Sequence, residues 1–357
     1  MSMSFRTLKE SDFQDSPKKA FALDVLCGLS EEIKRLPSRY FYDETGSRLF
    51  KRIMELPEYY LSRCGIEILE NNKHRIAELV LDEPFNLVEL GAGDGTKTII
   101  LLNEFMRRGL DYEYLPIDIS RSAMEELTRL MNVKLPGING CGIVSEYFDG
   151  IRFMSQMTGR RNFVLFLGSN IGNFNNEQAR LFLHNLWQSL NHDDFVLIAF
   201  DLKKDIDLLL RAYNDSEGVT RQFNLNLLTR INRELGGNFD ISKFKHYGTY
   251  NVLSGAMESF LVSTERHRVF IKELAKTFSF EAWEPIHTEY SYKYSTSDIQ
   301  SLAAATGFAI CDELFDSRKY FVQSIWKVNK ATSSGHESLE VKHKVMISEN
   351  TKKPALV

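Results

Sequence analysis

The 357-residue chain is poor in cysteine, and its cysteines show no arrangement typical of a metal site or a disulfide framework. The four cysteines are scattered, none forms a C-x-x-C pair, and none has a histidine at metal-ligand spacing. This pattern disfavours a secreted disulfide scaffold and a structural zinc site. We interpret the cysteines as free thiols in a reducing cytoplasm, and we expect no bound metal.

Long apolar segments are also missing. Apolar runs such as 163–167 and 195–200 have the length of β-strands, whereas a membrane-spanning helix needs about 18 or more apolar residues. The first residues of the chain contain no apolar signal core. We therefore expect neither a membrane partner nor export.

An excess of positive charge is the third missing feature. The chain has 44 Lys and Arg against 48 Asp and Glu, which gives a formal net charge of −4. A protein that binds nucleic acid through phosphates needs a positive surface field, and the balance here provides none. We expect no nucleic-acid partner. The 43% apolar residues are sufficient for a sizeable core in one large domain or two interleaved ones.

Strand-like and helix-like patterns alternate in the middle of the chain, with short connections between them. This alternation is typical of an α/β fold with a doubly wound, mostly parallel sheet. The predicted strands are 85–90, 112–117, 142–147, 163–167 and 195–200.

After residue 201 the alternation stops, and two helices precede a region of β character before two last strands that can rejoin the first sheet. We therefore expect a second, inserted α+β domain that the N-terminal helices complete. The predicted sheet domain is 65–203 with 294–330, and the predicted substrate domain is 16–64 with 204–293. Residues 331–357 have the composition of a flexible tail, and residues 1–15 look similarly loose.

A glycine-rich loop lies at the end of the first strand, in the string ELGAGDG (89–95). Glycines allow a tight turn and a close approach of the backbone to a ligand. Asp118 ends the next strand, where an acidic residue reaches a nucleoside ribose in this topology. Thr96 stands where the dinucleotide fingerprint needs glycine, which disfavours a nicotinamide oxidoreductase. The shorter E-x-G-x-G-x-G form is typical of class I S-adenosylmethionine-dependent methyltransferases; the alternative is an ordinary glycine-rich turn.

A second loop, GSNIGNF at 168–174, follows the fourth strand. Ligands of open α/β sheets bind beyond the carboxyl ends of the strands, so this loop is expected in the active site. Asn173 offers both a donor and an acceptor, which suits the carboxylate or amine of an amino acid. The alternative is that Asn173 caps the following helix, and the two roles do not exclude each other.

The segment 287–294 alternates as a strand, so that Glu289, Ser291 and Lys293 share one face. A carboxylate and a hydroxyl on one face can form hydrogen bonds with a heteroaromatic ring that carries an N–H. The alternative is the charged outer face of a solvent-exposed strand.

Several longer strings resemble one known family, that of the histidine Nα-methyltransferases that make hercynine in ergothioneine biosynthesis. The resemblance extends from about residue 20 to about residue 328. The strings are LPSRYFYDETGS (36–47), LPEYY (56–60), LVELG (87–91), FLGSNIGN (166–173), RAYND (211–215), FNLN (223–226) and TEYS (288–291).

The resemblance implies that S-adenosylmethionine is the cofactor and that a small-molecule amino acid is the substrate. It implies a role in cofactor binding for Gly91, Lys97, Asp118, Glu146 and Tyr147. It implies that Asn173 and Tyr213 bind the carboxylate and amine region with Tyr42 near the amine, and that Glu289 and Ser291 bind the imidazole with Tyr59 nearby. Tyr42, Asn173 and Tyr213 are the expected catalytic residues.

Two positions depart from the family pattern. Glu146 stands where the family usually has Asp, and Ser259 stands where members that act on histidine can carry Met against the imidazole. Glu289 favours histidine as the substrate, with hercynine, its trimethylbetaine, as the product. The alternative substrate is another amino acid such as tryptophan or a prenylated tryptophan. A non-catalytic cofactor-binding protein is disfavoured because both half-sites are present, and a monomer is expected.

Overall fold

The computed structural model describes residues 2–7, 17–155 and 159–330. The strands are β1 (Ser4–Thr7), β2 (Phe85–Leu90), β3 (Tyr112–Asp118), β4 (Cys141–Val144), β5 (Arg161–Phe166), β6 (Phe195–Asp201), β7 (Phe244–Asn251), β8 (Ala256–Ser263), β9 (His267–Ile271), β10 (Lys276–Phe280), β11 (Pro285–Tyr292), β12 (Phe308–Phe315) and β13 (Phe321–Val328). The α-helices are α1 (Pro17–Ser30), α2 (Glu44–Glu55), α3 (Tyr60–Glu78), α4 (Thr98–Arg108), α5 (Arg121–Lys134), α6 (Tyr147–Ser155), α7 (Asn176–Ser189), α8 (Ile206–Tyr213), α9 (Val219–Leu235) and α10 (Thr296–Ala305).

The larger sheet has eight strands in the order β1-β4-β3-β2-β5-β6-β13-β12. The strands from β1 to β6 pair in parallel, and β13 runs antiparallel to both of its neighbours. The two C-terminal strands do rejoin the sheet, as the sequence predicted. The predicted doubly wound α/β fold is confirmed.

Helices cover both faces of this sheet, which explains why its central strands read as continuous apolar runs. On β2, Phe85 and Leu87 belong to a core cluster shared with α3, α4 and α5. Val88 and Leu90 point to the opposite cluster, which includes residues of α7 and α10. Every residue of β2 is buried.

Two local predictions were wrong. Part of the N-terminal segment that we expected to be loose, Ser4–Thr7, pairs in parallel with β4 at the sheet edge. The third predicted strand is also shorter than expected, because it ends at Val144 and Tyr147 begins a helix.

A second core lies outside the large sheet. A three-stranded antiparallel sheet, β11-β8-β7, and the two-stranded sheet β10-β9 pack with α1, α2 and α9. The hydrophobic cluster between them takes residues from 21–56 and from 219–286, so it joins two distant chain segments. This arrangement is what a two-segment substrate domain requires. The boundaries at 65, 204 and 294 stay a prediction, and the predicted tail at 331–357 lies outside the described residues.

The two cores meet where the loop after β5 reaches β11. Gly172 lies so close to the backbone of Tyr292 that a Cβ on it would be 2.9 Å from the Tyr292 carbonyl oxygen. A glycine is needed for this approach. It brings the carboxyl edge of the large sheet against the strand that carries Glu289.

No helix in the described part of the chain combines the length and the apolar character that crossing a membrane requires.

Candidate active site

The glycine loop after β2 forms one half of the site. Gly91 has a φ of +75°, a left-handed conformation that residues other than glycine rarely adopt. A Cβ at this position would lie 2.7 Å from the Tyr147 hydroxyl and 2.8 Å from Asn170 Nδ2. A Cβ on Gly93 would instead meet open space. The loop therefore offers a concave backbone surface next to the side chains of Tyr147 and Asn170, as a nucleoside-binding turn requires.

Asp118 lies at the end of β3 and closes this loop. Its carboxylate accepts hydrogen bonds from the Gly93 N–H at 3.0 Å and the Ser120 N–H at 2.8 Å. Burial raises the pKa of Asp118, and these backbone donors act in the opposite direction. Each oxygen keeps a lone pair for a further donor, so the residue fits the predicted contact with ribose hydroxyls.

Lys97 lies between the glycine loop and the second loop. A Cβ on Gly168 would be 3.6 Å from its Nζ, and no hydrogen bond from this ammonium to a described residue is seen. Burial lowers the pKa of Lys97, whereas Asp94 and Glu89 raise it. A half-buried ammonium without a described hydrogen-bond partner fits an anionic group of a ligand, such as the carboxylate of the cofactor.

Glu146 and Tyr147 follow β4 but differ in their surroundings. The Tyr147 ring packs in edge contacts on Phe166 and Phe182, with ring centroids 5.4 and 6.0 Å apart. Glu146 is half exposed, and its carboxylate pairs with Arg39 at 3.2 Å. Glu146 lies beside Tyr147 at the exposed edge of the cofactor half of the site, and its role in cofactor binding stays a prediction.

A cavity forms the other half of the site. It brings together all the residues predicted to contact the substrate, namely Tyr42, Tyr59, Asn173, Tyr213, Glu289 and Ser291. Gly168, Ser169 and Asn170 line the same cavity, so it adjoins the glycine loop through Asn170. The structure therefore places the predicted substrate residues next to the predicted cofactor residues.

Tyr42 is held by the turn in which it lies. It follows the short 3-10 helix Ser38–Phe41 and precedes Asp43, which caps α2 by accepting from the Gly46 N–H at 2.7 Å. Asn226 and Arg233 of α9 also donate to Asp43, at 2.8 and 2.6 Å. This junction fixes the backbone beside Tyr42 between two helices.

The loop after β5 has an uncommon backbone. Gly168 and Ser169 both adopt left-handed conformations, with φ +80 and +62, and the Ser169 hydroxyl accepts from the Asp201 N–H at 3.0 Å. Such conformations cluster at functional sites, where the surrounding structure holds them. The helix cap is made by Asn175 with Gln178 and not by Asn173. The Asn173 side chain lines the cavity.

Glu289 is the outstanding electrostatic feature of the cavity. Burial raises its pKa to about 7, and the nearby Lys293 opposes the shift. No hydrogen bond from a described residue to this carboxyl group is seen. The carboxyl group is half-buried and lines the cavity, so its acceptor oxygens are open to a donor from a ligand. The alternative of a solvent-exposed charged face is wrong for this strand, because Ser291 and Lys293 are buried and Glu289 is half-buried.

Replacing Glu289 by glutamine is expected to stabilise the free protein in a pH-dependent manner. The unfolded chain releases the Glu289 proton near its ordinary pKa of 4.5, and the folded chain holds it up to about 7. The folded state therefore loses stability as the pH rises through this window, by about 3 kcal/mol at most. The free energy of unfolding in urea should be measured for both proteins at about pH 5 and about pH 8. The E289Q variant should be more stable relative to the wild type at about pH 8 than at about pH 5. The same stability difference at both pH values would contradict the raised pKa.

Aromatic side chains form the wall of the cavity. Phe50 makes edge contacts with Tyr42 and Tyr59, at ring-centroid distances of 5.5 and 6.3 Å, and Phe223 lies 5.7 Å from Tyr42. Burial raises the pKa values of Tyr42 and Tyr59 well above 10, so both phenols are neutral. The wall lowers the local polarity without adding charge.

Some residues of the site were not predicted. Asn170 joins the two halves, and Phe50 and Phe223 line the cavity. Asn170 and Phe223 lay within strings that marked the family, so a signal existed for them. Asp201, which pairs with Lys293 at 2.8 Å, gave no signal beyond its place at the end of a strand.

Ser259 occupies the position that the sequence marked as a departure. It is buried on β8 directly opposite Glu289, and Met257 lies opposite Ser291. Directly opposed residues of an antiparallel pair share a face, so both belong under the predicted imidazole site. Among the described residues, no three His, Cys, Asp or Glu side chains gather as metal ligands would.

Comparison with known proteins agrees with this geometry. The model of the family described as histidine-specific methyltransferase, SAM-dependent, matches residues 21–328. Histidine N-alpha-methyltransferase of Mycobacterium tuberculosis is 36% identical over 297 residues, which cover 82% of this chain and 90% of that protein. Ergothioneine biosynthesis protein 1 of Schizosaccharomyces pombe is 31% identical over 305 residues, which cover 81% of this chain and 39% of that protein.

Other proteins are similar to this chain at a greater distance. The 4-dimethylallyltryptophan N-methyltransferase of Epichloe festucae var. lolii is 26% identical over 307 residues, which cover 79% of this chain and 88% of that protein. Among solved structures, magnesium protoporphyrin IX methyltransferase of Synechocystis aligns with a TM-score of 0.43 at 12% identity, over 82% of this chain and 95% of that one.

The family match spans nearly all of the described chain after residue 20, and it includes both the glycine loop and the cavity residues. The predicted fold class, a class I methyltransferase fold, and the predicted cofactor are confirmed with it. The chain belongs to the family of histidine-specific, S-adenosylmethionine-dependent methyltransferases.

Proposed function

We propose that this enzyme methylates the α-amino group of free L-histidine and carries the product to hercynine, its trimethylbetaine, as a step of ergothioneine biosynthesis. The observation that carries the proposal is the Glu289 carboxyl group, which is half-buried, lines the cavity and receives no hydrogen bond from a described residue. An imidazole N–H would supply that donor. Asn173 and Tyr213 line the same cavity, where they would bind the part that all α-amino acids share.

The residues of the glycine loop fit the cofactor. Gly91 shapes the cradle, Asp118 offers acceptors to the ribose, and Lys97 offers a half-buried positive charge. S-adenosylmethionine supplies an activated methyl group on a sulfonium centre. The protein holds the amine beside it, and most of the acceleration is then expected from proximity and alignment.

The α-amine must be neutral to act as the nucleophile. Tyr213 is buried, and aromatic side chains surround the cavity beside it. Burial disfavours a charged ammonium there and favours the neutral amine. No general base is needed at the amine if its proton leaves to water before the groups align.

Histidine is favoured over tryptophan by Glu289. The carboxylate accepts an imidazole N–H, and an indole would meet it with greater bulk and different donor geometry. Ser259, which lies opposite Glu289, is smaller than the Met that members acting on histidine can carry at this position. This is the observation that keeps a tryptophan derivative as the second candidate.

Mass spectrometry of products from a mixed amino-acid pool with S-adenosylmethionine tests the proposal. We expect histidine to gain three methylene units of mass, with the singly and doubly methylated species as intermediates. A gain on tryptophan and none on histidine would select the second candidate. No gain on any amino acid would overturn both.

A monomer in the cytoplasm is part of the same proposal. It rests on the scattered free cysteines and on the site, whose two halves come from one chain.

A further inference from the structure

Lys293 is buried at the end of β11 and directs all three of its N–H donors to named acceptors. Its ammonium lies 2.8 Å from Asp201 Oδ2, 2.9 Å from the Tyr213 hydroxyl and 2.8 Å from Ser291 Oγ. Lys293 is 2% exposed, and Asp201 is fully buried. Asp201 raises the pKa of Lys293 against the lowering effect of burial, so the ammonium stays charged.

These contacts determine whether the hydroxyls of Tyr213 and Ser291 can still donate a hydrogen bond to a ligand or accept one from it. Tyr213 donates its proton to Ser291 Oγ at 2.6 Å, as expected because a phenol is the better donor and an alkyl hydroxyl the better acceptor. Tyr213 has then no proton left for a ligand. Ser291 accepts from both Tyr213 and Lys293, which uses both of its lone pairs, so its own proton is all that it can offer.

We infer that Lys293 is a positioning residue, which fixes Tyr213 as an acceptor and Ser291 as a donor toward the substrate. This inference rests on the proposed function. For the amine, it means that Tyr213 accepts an N–H and leaves the nitrogen lone pair free to attack the methyl group. For the side chain, Ser291 donates to a ring nitrogen that carries no proton.

The donor role of Ser291 and the acceptor role of Glu289 select the neutral form of the imidazole ring. A neutral imidazole has one N–H, for Glu289, and one bare nitrogen, for the Ser291 hydroxyl. An imidazolium would point its second N–H at a hydroxyl that has no free lone pair, and that unmet donor would weaken binding. Glu289 and Ser291 together therefore favour binding of the neutral imidazole.

Removal of the Lys293 ammonium leaves Asp201 with other partners. Lys204 pairs with the same carboxylate, and the Tyr60 hydroxyl lies 2.9 and 2.8 Å from its two oxygens. The variant K293M should therefore fold, and D201N/K293M removes both charges of the pair in case it does not. Lys203→Met is the matched control, since Lys203 is half exposed and pairs with Asp298.

The first test is a double-mutant cycle on histidine binding by the full chain, measured by calorimetry with S-adenosylhomocysteine present. K293M should weaken histidine binding about tenfold and lower kcat by a similar factor, with cofactor affinity unchanged. In the S291A background the same substitution should cost less than about threefold in affinity. An equal loss in both backgrounds would show a structural role only and overturn the inference, as would a K203M variant that loses as much as K293M.

The second test observes the ring directly, by NMR of bound histidine labelled with nitrogen-15 in the imidazole. The wild type should show one protonated and one bare ring nitrogen, and D201N/K293M should lose this single pattern. Two protonated nitrogens in the wild-type complex would overturn the inference.

Failure of the proposed function is distinguishable from failure of this inference. If the wild type methylates another amino acid and not histidine, the proposed function fails. The coupling between Lys293 and Ser291 is then measured with the amino acid that the wild type does bind, and independence of the two substitutions would still refute the role of Lys293.

Discussion

Replacing Glu289 by alanine should lower kcat/KM for histidine by about a hundredfold or more, mainly through KM, and leave the affinity for S-adenosylmethionine unchanged. Glu289 is the half-buried carboxylate that lines the cavity, and a hydrogen bond to a charged group contributes about 1.5 to 3 kcal/mol, to which the unmet imidazole N–H adds its own cost. The cofactor half of the site, around Gly91 and Asp118, does not contact this carboxyl group. Steady-state kinetics with each substrate varied in turn separates the two effects.

The matched control for this experiment is Glu258→Ala. Glu258 lies on the neighbouring strand β8 opposite Tyr290, on the face away from Glu289, and accepts from Asn251 at 2.9 Å. The control should keep the wild-type KM for histidine. Calorimetry that shows unchanged histidine binding by E289A would remove Glu289 from the substrate site.

Replacing Asn173 by alanine should reduce turnover of every amino acid that the enzyme accepts, by about a hundredfold. The Asn173 side chain lines the cavity and offers one acceptor and two donors to the shared carboxylate and amine. Because this part of the substrate also aligns the nucleophile, we expect kcat to fall together with the affinity. The loss should be similar for histidine and for its ring analogues, in contrast to E289A.

Asn176→Ala provides the control for this second experiment. Asn176 is exposed at the start of α7, outside the substrate cavity. The capping box of Asn175 and Gln178 remains intact in both variants, so the helix should be equally stable. Normal turnover by N173A would exclude Asn173 from the site.

The regular part of the fold was predictable because its signals are local. Apolar runs such as 85–90 and 195–200 became central strands of the large sheet. Within the region of β character, the sequence predicted no separate strand at Lys276–Phe280, which forms β10, and Ser4–Thr7 was expected to be loose. Both are short strands with exposed residues, so their pairing depends on neighbours more than on their own composition.

The membership of the site was predictable through the family strings, but its electrostatics were not. The sequence marked Glu289, Ser291 and Lys293 as one face of a strand. It gave no indication that Glu289 receives no hydrogen bond from a described residue or that Lys293 reaches Asp201 across the fold. These properties depend on burial and on which distant segments pack together.

The sequence by itself determined the alternation of strands and helices, the glycine loop and the family, because each is written in residue order and spacing. Only the tertiary structure decided the cavity, since Tyr42, Asn173, Tyr213 and Glu289 come from four distant parts of the chain. It also decided the charge states within the cavity. The pKa of a carboxyl group and the direction of a hydroxyl proton are set by burial and by the donors within reach, and packing alone brings those donors to Glu289, Tyr213 and Ser291.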